Sequence, residues 1–380
     1  MKISIYKAML FGWLLAIAMP TLQANDGIAK GKKEFKKTIN KEFPISADGK
    51  VGLHNKFGDL IVRTWDKNDV KIDITITVHA NNQEQANKVF NRINVRFSNS
   101  SNNVRAETIM GSNRGGSWNG WWNGSDNTSF DIDYEVYMPR SVELDLSIKH
   151  GDAYITELNG EASIDVRHSD LRVDAIMGDL ELEVAHGDAE LTTITTADID
   201  IAHGDLKIKS AKNVRAEVQH GEMYLRNAKK LDCNSAHSEL EFGDIPMMRV
   251  DSKHDELEIE RTHELDLDAK YSDVESEHIE NNIKCDMDFG ELQINNISPN
   301  FKEVRLDGTH TSFDLSVPSN ASFDLDALGE HANIDYPSRM DIQYEKEKSS
   351  THEVRGHMGS AYSGSLIHIR MRHGGVDIAL

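Results

Sequence analysis

Ten of the chain's seventeen histidines fall in a single column of a repeat. With the histidine of "HGD" as position zero, the register runs His150, His168, His186, His203, His220, His237, His254, Tyr271, Phe289, His310 and His331, and "IRMRHGGVDI" adds His373. The steps are 17 or 18 residues as far as Phe289 and 21 beyond it. Self-similarity at so short a period is the signature of a stacked architecture, in which each unit buries its apolar side only against its neighbours. Four residues before zero stand Leu146, Ile164, Leu182, Ile199, Ala216, Cys233, Val250, Leu267, Cys285 and Leu306; five after zero stand Ile155, Val173, Leu191, Ile208, Leu225, Phe242, Ile259 and Ile294. Apolar and polar residues alternate within each run, which is the period of a strand and not of a helix. Position one is Gly, Ser or Asp over most of the register, as a tight corner requires.

Two folds use such a pattern. In an antiparallel meander "HGD" is a hairpin turn, and the apolar face of the sheet then needs a second layer. No helices follow residue 95 to supply one. In a solenoid each repeat is one coil that closes around its own core. The expectation is therefore all-β: a single-stranded β-solenoid, parallel β-helix-like, of 17–21-residue coils with a small mixed α/β N-terminal cap. Cys233 and Cys285 share a column three coils apart, about 14 Å at strand spacing, while a disulfide needs Cα atoms within about 7 Å. Both are expected to be free, buried and apolar in role.

The domain plan begins with residues 1–24, a lysine-bearing start, an apolar run and Leu22-Gln23-Ala24, laid out as a secretory signal cut after Ala24. Its apolar part is short for a bilayer span. Residues 25–140 form the cap, with an isolated rung at "FGDLIV", a strand at "VKIDITITV" and a short helix in "NNQEQANKVFNRI". Ala86, Val89, Phe90 and Ile93 mark one face of that helix, and Asn81 or Asn82 caps it. A Gly/Ser/Asn-rich loop follows, carrying Trp118, Trp121 and Trp122. The coils proper span 141–336, and 337–380 are irregular C-terminal coils. The predicted location is secreted, periplasmic or cell-envelope. A net charge of −21 repels nucleic acid and anionic lipid and attracts cations or basic partners.

The "NKFGDLIVRTWD" rung, the helix, the "YEVYMPRSVELDLSIKHGDAYITELNG" transition and the serial Gly-Asp coils together resemble the bacterial putative-adhesin family. That resemblance implies an extracytoplasmic β-solenoid of unknown function with no catalytic residues to carry over. The histidine column departs from it, because many such chains turn their corners on Gly-Asp or Gly-Glu without so persistent a histidine.

The second position after zero holds Asp152, Asp170, Asp188, Asp205, Glu222, Glu239, Glu256, Asp273 and Glu291. A catalytic group is made special by a unique environment, whereas this pair recurs coil after coil, so the corners read as structural and no catalytic residue is assigned. A second acidic column lies three before zero: Asp165, Glu183, Asp200, Glu217, Asp251, Asp268, Asp286 and Asp307. Like charges 4.8 Å apart repel by roughly 1 kcal/mol in water, so the ladder needs protonated histidines, divalent cations or outward splaying. Calcium suits such oxygens, but the calcium-roll motif is missing, and zinc needs a tetrahedral closure that one flat column does not provide. No cofactor or metal site is assigned.

Alternation from positions minus four and minus two points the histidines inward, which predicts that acid loosens the fold as buried imidazoles charge. Trp118, Trp121 and Trp122 are the candidate binding residues, for a cell-surface glycan or an envelope protein; the alternative is that their loop plugs the end of the stack. The functional expectation is a non-enzymatic protein presenting an elongated acidic surface, an adhesin or scaffold. The alternatives are a carbohydrate-active β-helix enzyme and a cation-binding envelope protein.

Overall fold

The computed structural model describes residues 32–111, 128–360 and 363–380. The signal at 1–24 and the tryptophans at 118, 121 and 122 lie outside the described residues. Among the described residues the structure is nearly all β, with one helix, Gln83–Phe90.

Strand periodicity produces strands that pair at the step of the repeat. Ala162–Arg167 lies in parallel between Glu143–Lys149 and residues 180–185, so that Ile164 stands opposite Leu146 on one side and Leu182 on the other. Leu171–Ala185 pairs along both of its halves with Ala189–Ala202, and that strand with Leu206–Gln219. Parallel pairing continues rung by rung to Glu303–Ser316. The register shifts between Ile176 and Asp179 in one pairing and between Thr262 and Glu264 in another, and the backbone turns left-handed at each position-zero residue. The columns at minus four and plus five are buried in one continuous apolar core, where full burial of each aliphatic side chain stabilises by about 1.5–3 kcal/mol.

Cys233 and Cys285 are free and buried in that core. Cys233 stands opposite Ala216 and Val250, and Cys285 opposite Leu267 and Leu306. Burial raises the pKa of both thiols, with nearby carboxylates adding to it.

The N-terminal segment extends both sides of the stack and then turns antiparallel. On one side Leu60–Trp65 pairs in parallel with Ser129–Pro139 and with residues 153–155, and Ser129–Pro139 runs antiparallel to Asp69–Ala80, which runs antiparallel to Lys33–Pro44. On the other side Lys50–Asn55 pairs in parallel with Glu143–Lys149 and Asn103–Met110, and the latter runs antiparallel to Ile93–Asn99. The helix packs on Asp69–Ala80, Lys33–Pro44 and Ile93–Asn99. Of the two asparagines that read as caps, Asn82 is the N-cap: its side chain accepts from the Gln85 N–H at 2.9 Å. Ala86 and Val89 are buried beneath the helix. Tyr134 is buried at this end, its hydroxyl 2.8 Å from Thr108 Oγ1, and burial pushes its pKa up to about 12.

At the C-terminus the order in space departs from the order in sequence. Leu366–Ala379 is inserted between Glu303–Ser316 and Phe323–Asp335, parallel to both. His373, 42 residues after His331 in the chain, therefore stands between His310 and His331. The hairpin Asp341–Lys348 and Thr351–Met358 runs antiparallel along residues 323–330.

Candidate functional site

The column at position zero is a ladder of rings on the surface. From His150 to His331 successive ring centroids lie 4.7–5.1 Å apart with planes within 9° of parallel. The order is seven histidines, Tyr271, Phe289, His310, His373 and His331. Phe57, from the early "FGDLIV" rung, joins below His150 at 5.4 Å.

All twelve residues from His150 to His331 are exposed, which corrects the inward placement that alternation predicts. The reason is backbone conformation. Every one of them has φ between 52° and 60°, in the left-handed region. A left-handed residue reverses the alternation of side chains, so parity counted from minus four and minus two fails at zero. It is position zero, not the small residue at position one, that carries the left-handed turn at most corners. His is among the residues enriched there relative to β-branched ones, and ring stacking offsets part of the conformational cost. Solvated imidazoles also remove the ground for acid loosening through buried histidines. His150, at the foot of the histidine run, has a lowered pKa, from partial burial first and then from His168 and Lys149.

The small residue after each ring is needed for close approach. A Cβ on Gly204 would lie 1.9 Å from the carbonyl oxygen of Gly187, and one on Gly187 would lie 1.9 Å from that of Ser169. Where position one carries a side chain, that side chain turns into the corner and is satisfied there. Asp255, 6% exposed, accepts from the backbone N–H groups of Ser238 and Lys253 and from the hydroxyls of Ser235 and Ser252, at 2.6–2.8 Å.

The acidic column at position two binds backbone. Asp133 Oδ1 accepts from the N–H of Asp59, and the pattern repeats from Asp59 to Asp152, Asp170, Asp188, Asp205 and Glu222, each carboxylate taking the amide of the next rung at 3.0–3.2 Å. The ladder stops where glutamate replaces aspartate. With one more methylene the side chain no longer meets that amide; the N–H groups of Glu239 and Glu256 turn instead to the carbonyls of Gly221 and Ser238. Asp273 resumes the pattern by accepting from Glu291. A groove of about 760 Å³ runs beside this column, its other side formed by Tyr154, Arg172, Glu190 and Lys207.

The acidic column three before zero is exposed or half-buried. Arg167 spans two of its members, 2.8 Å from both Asp165 and Glu183. Two members without such an arginine, Asp200 and Asp286, titrate above the usual carboxylate range. Asp200 is raised by partial burial and then by Glu217 and Asp198; Asp286 by partial burial and then by Asp268, Asp307 and Asp288. The neighbouring column five before zero mixes signs, with Arg215 3.7 Å from Asp232 and Lys284 3.1 Å from Asp266.

The structure thus gathers the histidines of position zero and both acidic columns into parallel strips; the close imidazole–carboxylate pairs among the described residues, such as His263 with Glu280 at 2.9 Å and His352 with Glu345 at 3.0 Å, involve histidines outside that column. Among the described residues no group of three or more metal-ligating side chains converges, and no helix is long and apolar enough to cross a membrane. The sequence reading missed the left-handed corners and the use of the aspartates as amide acceptors. The near-invariant Asp at position two across the first coils, giving way to Glu, was the available signal for the second.

No protein-family model matches the sequence. No curated protein matches it either. Solved structures do. One is a putative adhesin from Parabacteroides merdae, at 9% identity over 68% of this chain and 94% of that one, TM-score 0.33. Another is a putative cell adhesion protein from Clostridium sporogenes, at 8% identity over 91% and 99%, TM-score 0.19. It resembles putative adhesins. A putative lipid-binding protein from Parabacteroides distasonis is a further neighbour, at 10% identity over 69% and 92%, TM-score 0.25.

Proposed function

We propose that the chain is a non-enzymatic β-solenoid of the secreted or cell-envelope class, which presents an elongated acidic surface as an adhesin or scaffold. Parallel pairing at the repeat step supports the solenoid, as do corners of one conformation. The observation that carries the non-enzymatic reading is the sameness of the rungs: the aspartates of position two on the early coils accept a backbone amide in one geometry. A general acid or base needs an environment that sets it apart from its copies. In this reading Trp118, Trp121 and Trp122 supply the contact, stacking on sugar rings of a cell-surface glycan or on an apolar patch of an envelope protein.

The test is an assay of the purified chain on a panel of acidic and neutral polysaccharides, scoring retention and release of reducing ends separately. Retention without cleavage, lost on replacing the three tryptophans with alanine, is the expected result. Cleavage of any member of the panel refutes the non-enzymatic reading.

A further inference from the structure

The ring ladder has an unspent chemical capacity. Its histidines have exposed side chains, and among the described residues none of their imidazoles makes a side-chain hydrogen bond or an ion pair. Their contacts are with one another, ring on ring. Along His150 to His254 position two carries Asp152, Asp170, Asp188, Asp205, Glu222, Glu239 and Glu256, against Lys149, Arg167 and Lys253 just before three of the rings, so this run is electronegative on balance; beside His310, His331 and His373 position two is uncharged. In a protein of net charge −21 such a strip raises the local concentration of cations. Neutral imidazole is the side chain that borderline divalent metals prefer.

We propose that consecutive imidazoles of this column chelate divalent transition-metal ions such as Zn²⁺ or Cu²⁺, two rings to an ion. Two nitrogens each about 2.05 Å from a tetrahedral zinc lie about 3.3 Å apart. The rings begin about 4.9 Å apart, so equivalent nitrogens must each move by about 0.8 Å. At the end of a histidine side chain that is a lean of roughly 10°. Because the stacked rings are parallel and each lone pair lies in its ring plane, the two rings must also turn by roughly 50° each to aim at a shared tetrahedral ion, so chelation replaces the stacking of that pair. The column cannot enclose a metal, because no third ligating side chain converges on a pair. Each bound ion therefore keeps two positions for water or for donors on another surface.

Adjacency sets the stoichiometry. The run His150 to His254 holds seven rings in series and so makes three pairs. Tyr271 and Phe289 interrupt the column. His310, His373 and His331 make one further pair, which exists only because Leu366–Ala379 is inserted between the other two strands. The full column takes about four ions.

The column also provides its own control. Phe289 sits in it at φ 57° with centroids 4.9 and 4.8 Å from its neighbours, so phenylalanine preserves the backbone and the stack. Two triple variants then keep the same number of histidines and differ only in adjacency. The alternating variant, His168→Phe, His203→Phe and His237→Phe, leaves four isolated rings in the run and no pair. The contiguous variant, His150→Phe, His168→Phe and His186→Phe, leaves His203 to His254 and two pairs.

Zinc chloride and copper(II) chloride are titrated at pH 7.5 into the full chain and both variants by calorimetry, with metal content after dialysis as a second readout and circular dichroism to confirm the fold. The expected uptake is about four ions for the parent, about three for the contiguous variant and about one for the alternating variant. Equal losses in the two variants would mean that rings bind singly and would overturn pairwise chelation. Uptake by the parent no greater than that of the alternating variant would overturn the site altogether. If a variant fails to fold, His220→Phe alone reports in its place: it splits the run into sets of four and two, keeps three pairs, and must leave uptake unchanged.

Discussion

Replacing Asp286 with asparagine should stabilise the fold at neutral pH, and the structure gives the size of the effect. Asp251, Asp268, Asp286 and Asp307 stand opposite one another on four consecutive rungs. At strand spacing, about 4.8 Å, two unit charges repel by about 0.9 kcal/mol in water. Asp286 has such a neighbour on each side, giving about 1.7 kcal/mol before relief. Outward splaying and counter-ions remove part of this. Lys284 does not, since it is engaged with Asp266 at 3.1 Å. A net gain of about 0.5–1 kcal/mol for Asp286→Asn is expected in a low-salt buffer at pH 7. Urea is the denaturant to use, because guanidinium chloride is itself a screening salt. At 0.01 M salt the screening length is about 30 Å and the gain should be full; at 1 M it is about 3 Å and the gain should shrink to the part owed to partial burial, which salt does not screen. The pH dependence has a definite sign. The pKa of Asp286 is raised in the fold, by partial burial first and then by Asp268 and Asp307, so the native state holds this proton more tightly than the unfolded chain. The parent therefore gains stability as pH falls through the interval from the raised value to the ordinary one, and the asparagine variant loses that part of the gain. A variant less stable than the parent at low salt, or a gain indifferent to salt, would refute the reasoning.

The amide-accepting aspartates give a paired prediction: Asp188→Ala, which leaves the Asp205 N–H without its acceptor at 3.0 Å, should cost about 1–2 kcal/mol, and Asp188→Asn, which keeps an acceptor, less than about 0.5 kcal/mol, both read from urea melts. Gly204→Ala puts a Cβ 1.9 Å from the Gly187 carbonyl oxygen and should cost at least about 2 kcal/mol, read as a lowered thermal midpoint. Cys233 and Cys285, buried and with raised thiol pKa values, should resist a thiol-alkylating reagent at pH 8 in the native protein and both react once it is unfolded in urea; rapid native labelling would contradict their placement in the core.

What could be read from the sequence was whatever depends on one rung being like the next. The period, the apolar columns, the separation of the two cysteines and the helix face at Ala86 and Val89 all follow from side-chain pattern alone. Two features escaped because they depend on backbone conformation or on the order of rungs in space. Strand alternation carried through position zero points the histidines inward, yet a single left-handed residue there turns the ring outward. The insertion of Leu366–Ala379 between two earlier strands leaves no mark on the period, since a rung that returns late carries the same pattern as one that follows in turn.

These two unreadable features together make the column what it is. An inward histidine would have to be neutral and hydrogen-bonded to be tolerated, and selection on it would be selection for packing. An outward histidine at a left-handed corner is under no such demand: asparagine or glycine would serve the backbone as well, and Tyr271 and Phe289 hold the same conformation and stack equally closely. Corner geometry therefore accounts for a flat ring at position zero and does not account for ten of twelve being imidazole. The surplus lies in the one property that separates imidazole from tyrosine and phenylalanine, a ring nitrogen open to a proton or a metal. Substituting phenylalanine in alternation against phenylalanine in series isolates that property, because it alters which nitrogens are neighbours while leaving the rings, the corners and the histidine count alike.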